Sequence, residues 1–196
     1  VRQHKGPKWD DGRIAKDLFE TATGQGLQSY QLNLRRPKFQ DIRVRRAFNL
    51  AFDFEWTNKN LFYGLYDRTA SFFESSPLKA VGAPPAEELA ILEPMRATLR
   101  PEVFLTPELP PVSDGSGRDR TLLRQASELL DQAGWVAENG VRRNAKGEAL
   151  SAEFLIESPI FERVLGPYVK NLKLIGIDAS IRIVDDAQYQ SRRKSF

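Results

Sequence analysis

The segment that decides the fold is residues 41–64, DIRVRRAFNLAFDFEWTNKNLFYG. Its first half predicts an amphipathic helix, because apolar residues recur at the spacing of one buried helical stripe. Those residues are Val44, Ala47, Phe48 and Ala51. Asp41 and Asp53 precede the two halves, where a carboxylate accepts a backbone N–H that lacks an intrahelical partner. Gly64 ends the second half, so the segment predicts two helices in tandem, each capped by an aspartate.

Two other segments predict regular structure with equal clarity. Residues 118–133 carry one broad apolar face, which predicts a helix. In residues 150–184, two runs of alternating apolar residues flank a helical stripe that contains Pro167. Strand, helix and strand with short connections predict a βαβ unit with parallel strands. The remaining predicted elements are a strand over 28–34, a helix over 85–95 and a hairpin over 140–148.

The composition narrows the function classes. With 196 residues, of which 41% are hydrophobic, the chain can bury a sizeable globular core. It has no cysteine, which excludes disulfides, thiolate metal sites and cysteine nucleophiles. His4 is the sole histidine, so a zinc site or a Ser-His-Asp triad would need the N-terminal segment. We therefore expect no catalytic residue, no metal site and no cofactor.

The charge pattern does not predict a nucleic-acid partner. The net charge is +3, but 26 acidic residues are interspersed with 29 basic ones and no long basic block occurs. Residues 113–117, SDGSG, lack the Gly-Lys-Ser/Thr ending of a phosphate-binding loop. No apolar run approaches the roughly 20 residues that span a membrane, and residues 1–9 do not resemble a signal peptide.

Several motifs, in order, resemble the peptide and nickel class of extracellular solute-binding proteins. In residues 30–53, a strand ending in Asn leads to a Pro-x-Phe-x-Asp turn, then Arg-Val-Arg and a helix ending in Ala-x-Asp. These positions are Asn33, Pro37, Phe39, Asp41, Arg43, Val44, Arg45, Ala51 and Asp53. PPVSDGSGRDR, LLDQAGW and NLKLIGIDASIRIVD extend the resemblance towards the C-terminus. Residues 52–76, FDFEWTNKNLFYGLYDRTASFFESS, are most similar to the oligopeptide and microcin C binding branch.

The resemblance implies an α/β fold, a lobe of the type II periplasmic-binding-protein kind, with a mixed sheet and flanking helices. Residues 1–26 would be the poorly packed tail of the other lobe and the approach to the hinge. Residues 27–196 would form the second lobe, truncated at the C-terminus because the family's proteins are considerably longer. We expect this lobe alone to bind peptide weakly, since half of the cleft would be missing.

The implied function is the substrate-binding component of an ABC importer. It would capture oligopeptides, or a peptide conjugate, in the periplasm by closure of two lobes. Its partners would be the oligopeptide ligand and an ABC permease complex in the inner membrane. The protein would act as a monomer without a cofactor. In relatives an acidic residue fixes the amino group of the peptide, and its equivalent would lie beyond Phe196.

Three places supply candidate ligand-binding residues. Asn33 belongs to the resemblance motif. The loop after the tandem helices offers donors and aromatic rings from Arg68, Ser71, Phe72 and Phe73, although the two rings could instead pin the loop to the core. Near the C-terminus, Arg192 or Arg193 matches an arginine that helps to bind the peptide carboxylate, with an ambiguity of one position. A solvated basic helix end is the alternative there.

Two other functions remain open. The first is a carboxylate-based hydrolase that uses Glu153, Glu157 or Asp178 near strand ends, although no pair has a spacing that specifies two roles. The second is a lobe that docks a receptor or permease without a ligand of its own, which an exposed apolar patch opposite the cleft would support.

Overall fold

The computed structural model describes residues 6–15, 17, 19 and 27–195. It divides the chain into two compact units, Val1–Leu27 with Ser71–Pro107, and Gln28–Ala70 with Glu108–Phe196. His4 and most of the 1–26 segment lie outside the described residues. The predicted boundary between two lobes at residue 26 therefore stays a prediction. Among the described residues, no helix combines the length and the apolar character that crossing a membrane requires.

The larger unit holds the helices and strands that the sequence predicts most clearly. Its helices are α2 (Ile42–Ala51), α3 (Phe54–Leu61), α5 (Arg120–Gln132), α6 (Glu162–Leu174) and α7 (Asp186–Ser195). Its strands are β1 (Val136–Glu138), β2 (Val141–Arg143), β3 (Ser151–Ile156) and β4 (Asp178–Ile183). Short 3-10 helices lie at Pro37–Phe39 and Pro159–Phe161.

The tandem helices of residues 41–64 are confirmed. Asp41 caps α2, since its carboxylate accepts the N–H of Arg43 at 2.8 Å, and Asp53 caps α3 in the same way from Trp56 at 2.8 Å. All four residues of the predicted α2 stripe are buried. That face packs on α5, where Leu123, Ala126 and Leu130 are buried. α2 and α5 therefore form one wall of the core.

The βαβ unit is also confirmed. β3 and β4 pair in parallel, with Ser151 opposite Asp178 and Ile156 opposite Ile183. Between them, α6 contributes the fully buried Leu165 and Leu172 to the same core, and it contains Pro167. The α6 helix is followed by Gly176, which adopts a φ of +85° and so reverses the chain into β4.

The sheet differs from the predicted mixed sheet, although the α/β class holds. In the described residues, β1 pairs with β2 antiparallel and β3 pairs with β4 parallel, as two separate two-stranded sheets. A bridge from Arg143 to Ala149 closes the predicted turn after β2. The strand predicted for 28–34 is wrong, because this extended segment pairs with no described strand. Its alternation reflects side-chain packing: the ring of Tyr30 meets the ring of Phe154 edge-on at 5.6 Å.

A buried arginine joins three segments of the larger unit. Only 3% of the Arg142 side chain is exposed. Its Nε donates to the carbonyl of Ile175 at 2.7 Å, and its Nη1 pairs with the carboxylate of Asp131 at 2.6 Å. It also donates to the carbonyl of Trp135 and to Ser127. The guanidinium therefore satisfies the carbonyls of Ile175 and Trp135, which follow α6 and α5, and ties both segments to β2.

The smaller unit is described by short helices and irregular chain. Its α-helices are α1 (Pro7–Asp10), which the sequence did not predict, and α4 (Ala86–Leu92), which it did. In α1, proline occupies a first-turn position where its missing N–H costs nothing. Short 3-10 helices occur at Glu93–Met95 and Pro101–Phe104. Arg96 links these two, because it pairs with Glu93 and its guanidinium carbon lies 3.8 Å from the centre of the Phe104 ring.

Candidate functional site

Asp53 organises the region where the tandem helices meet the loop of residues 111–119. Its side chain is buried, with 7% of the residue exposed. One carboxylate oxygen accepts the N–H of Trp56 and lies 2.5 Å from the hydroxyl of Ser113, while the other accepts the N–H of Gly117 at 2.8 Å. The aspartate therefore caps α3 and holds the loop at the same time.

Glu55 gives the loop a second acidic anchor. Its Oε2 accepts the N–H of Ser113 at 2.8 Å and lies 2.5 Å from the hydroxyl of that serine. Burial alone would raise the pKa of Glu55. The hydrogen bonds from Ser113 and the charge of Arg68 act in the opposite direction, and the net pKa lies below its usual value. Glu55 is thus an anion whose charge the loop stabilises.

Two polar residues of α6 fasten the other side of this region. The amide of Asn171 donates to the carbonyls of Ala51 and Gly117, both at 3.1 Å. The hydroxyl of Tyr168 donates to the carbonyl of Phe48 at 2.8 Å, and burial raises its pKa. The end of α2 therefore has its free carbonyls satisfied from α6. The Ala-x-Asp motif therefore has a folding role, since Ala51 and Asp53 both accept hydrogen bonds that hold this region together.

The side chain of Arg68, one of the predicted site residues, is held by two hydrogen bonds to distant segments. Its Nη1 donates to the carbonyl of Pro111 at 2.6 Å, and its Nη2 donates to Oδ1 of Asn49 at 2.7 Å. The guanidinium carbon lies 5.7 Å from the centre of the Phe52 ring. Burial lowers the pKa of Arg68, and the nearby charge of Glu55 partly offsets this effect. Arg68 is thus a partly buried cation fixed in one orientation.

Asn33 lies at the turn before α2. Its side-chain oxygen accepts the N–H of Arg35 and its carbonyl accepts the N–H of Arg36, both at 3.0 Å. Such an Asx turn is the usual local role of asparagine. The structure thus gives Asn33 a folding role, and its ligand contact stays a prediction.

Ser71, Phe72 and Phe73 belong to the smaller unit. The Ser71 hydroxyl accepts the N–H of Phe73 at 3.1 Å. Phe72 is 79% exposed and Phe73 is 53% exposed. The alternative that these rings pin the loop to a core is therefore wrong. Their predicted place in a cleft wall is untested.

Arg192 and Arg193 lie in the last turn of α7, which Asp185 caps by accepting the N–H of Gln188 at 2.9 Å. Both arginines are exposed. The guanidinium carbon of Arg193 lies 5.6 Å from the centre of the Tyr189 ring on the same helix. Cations at this position also interact favourably with the helix dipole. Their carboxylate-binding role therefore remains a prediction.

Of the hydrolase candidates, Glu153 is engaged in an ion pair. Glu153 makes an ion pair with Arg182 at 2.8 Å across the two parallel strands, where both side chains are about half exposed. In the part of the chain that the structure describes, no group of three acidic, histidine or cysteine residues could hold a metal ion.

The structure also adds residues that the sequence did not indicate. Asn49 and Pro111 hold Arg68, and Ser113 joins the two acidic residues of α3. Asn49 is an exposed residue of α2. In the sequence, its position outside the apolar stripe is the feature that indicates a place at the surface.

Comparison with solved structures shows the fold. The chain superposes on NikA from Brucella suis, solved in complex with Fe(III)-EDTA, with a TM-score of 0.54 and 22% sequence identity. The match covers 84% of this chain and 27% of that one. At this identity the likeness concerns the fold alone. The fold is that of a type II periplasmic-binding-protein lobe.

The family follows from the sequence comparison. The model of the bacterial extracellular solute-binding proteins, family 5 Middle, matches residues 4–196, and the chain belongs to this family. It is 42% identical over 191 residues to a putative binding protein of Brucella melitensis, and 42% identical over 193 residues to the probable peptide-binding protein YejA of Agrobacterium fabrum. Each alignment covers 97% of this chain and 31% of the relative, so the chain spans about a third of their length. This is a family of solute-binding proteins and not of enzymes.

Proposed function

We propose that the chain is the peptide-binding lobe of the substrate-binding component of an ABC importer. The observation that carries the proposal is the 42% identity, over nearly the whole chain, to a probable peptide-binding protein. The likeness to NikA, at 22% identity, supports the fold and does not bear on the ligand. The ligand we propose is therefore an oligopeptide or a peptide conjugate.

The mechanism is capture without chemistry. In the periplasm, two lobes of the intact protein close around the peptide, and hydrogen bonds to the peptide backbone give affinity with little sequence preference. The loaded protein, a monomer, then delivers the peptide to a permease complex in the inner membrane. Because no bond is made or broken, the protein needs no catalytic residue.

The proposed ligand contacts of the larger unit are Asn33, Arg68, Arg192 and Arg193. For the smaller unit, taken by itself, we propose Ser71, Phe72 and Phe73. Exposed aromatic rings such as Phe72 supply apolar contact area at a small cost in side-chain entropy. The arginines supply donors for the carboxylate groups of the peptide.

A thermal-shift titration of the intact protein tests this proposal. The added probes are a pool of short peptides, a chemically matched pool of acetylated amino-acid amides, and nickel with histidine. Stabilisation that rises with the concentration of the peptide pool alone supports a peptide ligand, since a ligand that binds only the folded state raises the melting temperature. Stabilisation by nickel with histidine, and not by peptides, would refute it. Release of amino acids from the peptides during incubation would instead support the hydrolase alternative.

A further inference from the structure

We infer that Arg68, oriented by Asn49, is the receptor for a carboxylate group of the bound peptide. This inference rests on the proposed peptide-binding function and names the ligand group that one part of the site recognises. It assigns Arg68 to direct contact and Asn49 to positioning.

The guanidinium of Arg68 uses only part of its hydrogen-bonding capacity on its described partners. An arginine carries five N–H donors in one plane. Arg68 donates one from Nη1 to the carbonyl of Pro111 and one from Nη2 to the amide oxygen of Asn49. Both acceptors are neutral, and the Phe52 ring lies at 5.7 Å from the guanidinium carbon. The described part of the chain contains eight ion pairs within 4.0 Å, and Arg68 belongs to none of them.

The charges around Arg68 point to the same conclusion. Asp53 and Glu55 are close enough to act on it electrostatically, but their oxygens accept hydrogen bonds from the loop and from the start of α3. Arg68 is thus a partly buried cation without a contact anion, and burial disfavours its charged form. A ligand carboxylate would take two parallel N–H bonds from the guanidinium and offset that penalty.

Asn49 would act through Arg68. Its amide oxygen fixes Nη2, and the carbonyl of Pro111 fixes Nη1, so the planar fork is held before the ligand arrives. A guanidinium that is already oriented loses less side-chain entropy on binding. Replacing Asn49 should therefore weaken carboxylate recognition while leaving other contacts with the peptide intact.

A peptide offers two carboxylates, its C-terminus and an acidic side chain, and matched ligands separate them. Isothermal titration calorimetry on the intact protein would compare tri-alanine with tri-alanine amide. A second pair, Ala-Asp-Ala amide and Ala-Asn-Ala amide, tests the side chain. Wild-type protein should prefer the free acid in one pair by roughly tenfold to a hundredfold, as expected for a hydrogen-bonded charge pair.

Arg68→Gln should abolish this preference by weakening the acid, while the affinity for the matching amide stays within about twofold. Asn49→Ala should reduce the preference by a few fold and leave the amide unaffected. Arg46→Gln is the control, since Arg46 pairs with Glu108 at 2.6 Å on the surface of the same unit and should keep the full preference. Arg68→Lys keeps the charge without the fork, and it should retain only part of the preference.

The outcomes distinguish this inference from the proposed function. If wild-type protein binds neither the acids nor the amides, the proposed peptide-binding function fails. If peptides bind but the wild type shows no acid preference, or the preference survives Arg68→Gln, the carboxylate assignment fails and the peptide function stands. An equal loss of acid and amide binding in a folded Arg68→Gln protein would also overturn the assignment.

Discussion

Replacing Asp53 by alanine should destabilise the larger unit much more than the same change at Asp41. Both residues cap a helix, and losing a cap costs about 1 kcal/mol. Asp53 also accepts the N–H of Gly117 and contacts Ser113, whereas the further partner of Asp41 is the partly exposed side chain of Arg43. The Gly117 N–H is partly buried, and leaving such a donor without an acceptor costs up to about 1–3 kcal/mol more.

The free energy of unfolding should thus fall by about 2–4 kcal/mol in Asp53→Ala and by about 1 kcal/mol in Asp41→Ala, because an exposed ion pair adds little. Urea unfolding followed by far-UV circular dichroism measures both values by linear extrapolation. Asp53→Asn serves as a near-isosteric variant that keeps an acceptor for the cap. If the Asp53→Ala and Asp41→Ala losses agree within error, Asp53 is an ordinary cap and does not organise the loop.

Three other changes test the packing and the electrostatics. Gly176→Ala should lower the free energy of unfolding clearly more than Gly147→Ala. Both glycines have a left-handed φ, but an added Cβ would lie 2.9 Å from Cγ of Arg142 at position 176 and in open space at position 147. Equal losses in urea unfolding would contradict this. Arg142→Met should lower the free energy of unfolding by about 3–5 kcal/mol, since several buried carbonyls lose their donor; a loss below about 1 kcal/mol would show that water replaces it. Burial alone would raise the pKa of Glu55, but the hydrogen bonds from Ser113 bring the pKa below its usual value. Glu55 therefore stabilises the folded protein above about pH 4.3, and this contribution is lost as the pH falls through the lowered pKa. The free energy of unfolding should therefore fall less on acidification in Glu55→Gln than in wild type. Parallel plots of this free energy against pH for the two proteins would contradict the lowered pKa of Glu55.

The elements predicted from the sequence are those whose signals are local. The α2 stripe, the Asp41 and Asp53 caps and the βαβ unit each follow from residues within a few turns of one another. Periodicity and capping report local backbone geometry, which tertiary packing here leaves unchanged.

The features that the sequence did not predict depend on contacts between distant segments. The alternation in residues 28–34 correctly indicates packing, as the Tyr30 contact with Phe154 shows, but alternation cannot supply a pairing partner. The burial of Arg142 is equally hidden, because an arginine beside another arginine in a hairpin predicts an exposed side chain.

The candidate site shows the same limit. Arg68 could be selected as a donor in a loop with no helical period. Its orientation could not be predicted, since it depends on Asn49 and Pro111, which are 19 and 43 positions away in the chain. Phe72 and Phe73 had two possible roles, and their exposure decided against the core.

Native mass spectrometry of the intact protein, purified from the periplasm without refolding, would show whether the protein binds peptides. A peptide-binding protein should carry its ligand through such a purification. We expect a series of added masses that match short peptides, each lost on mild activation. A mass without additions that a peptide pool leaves unshifted would contradict it.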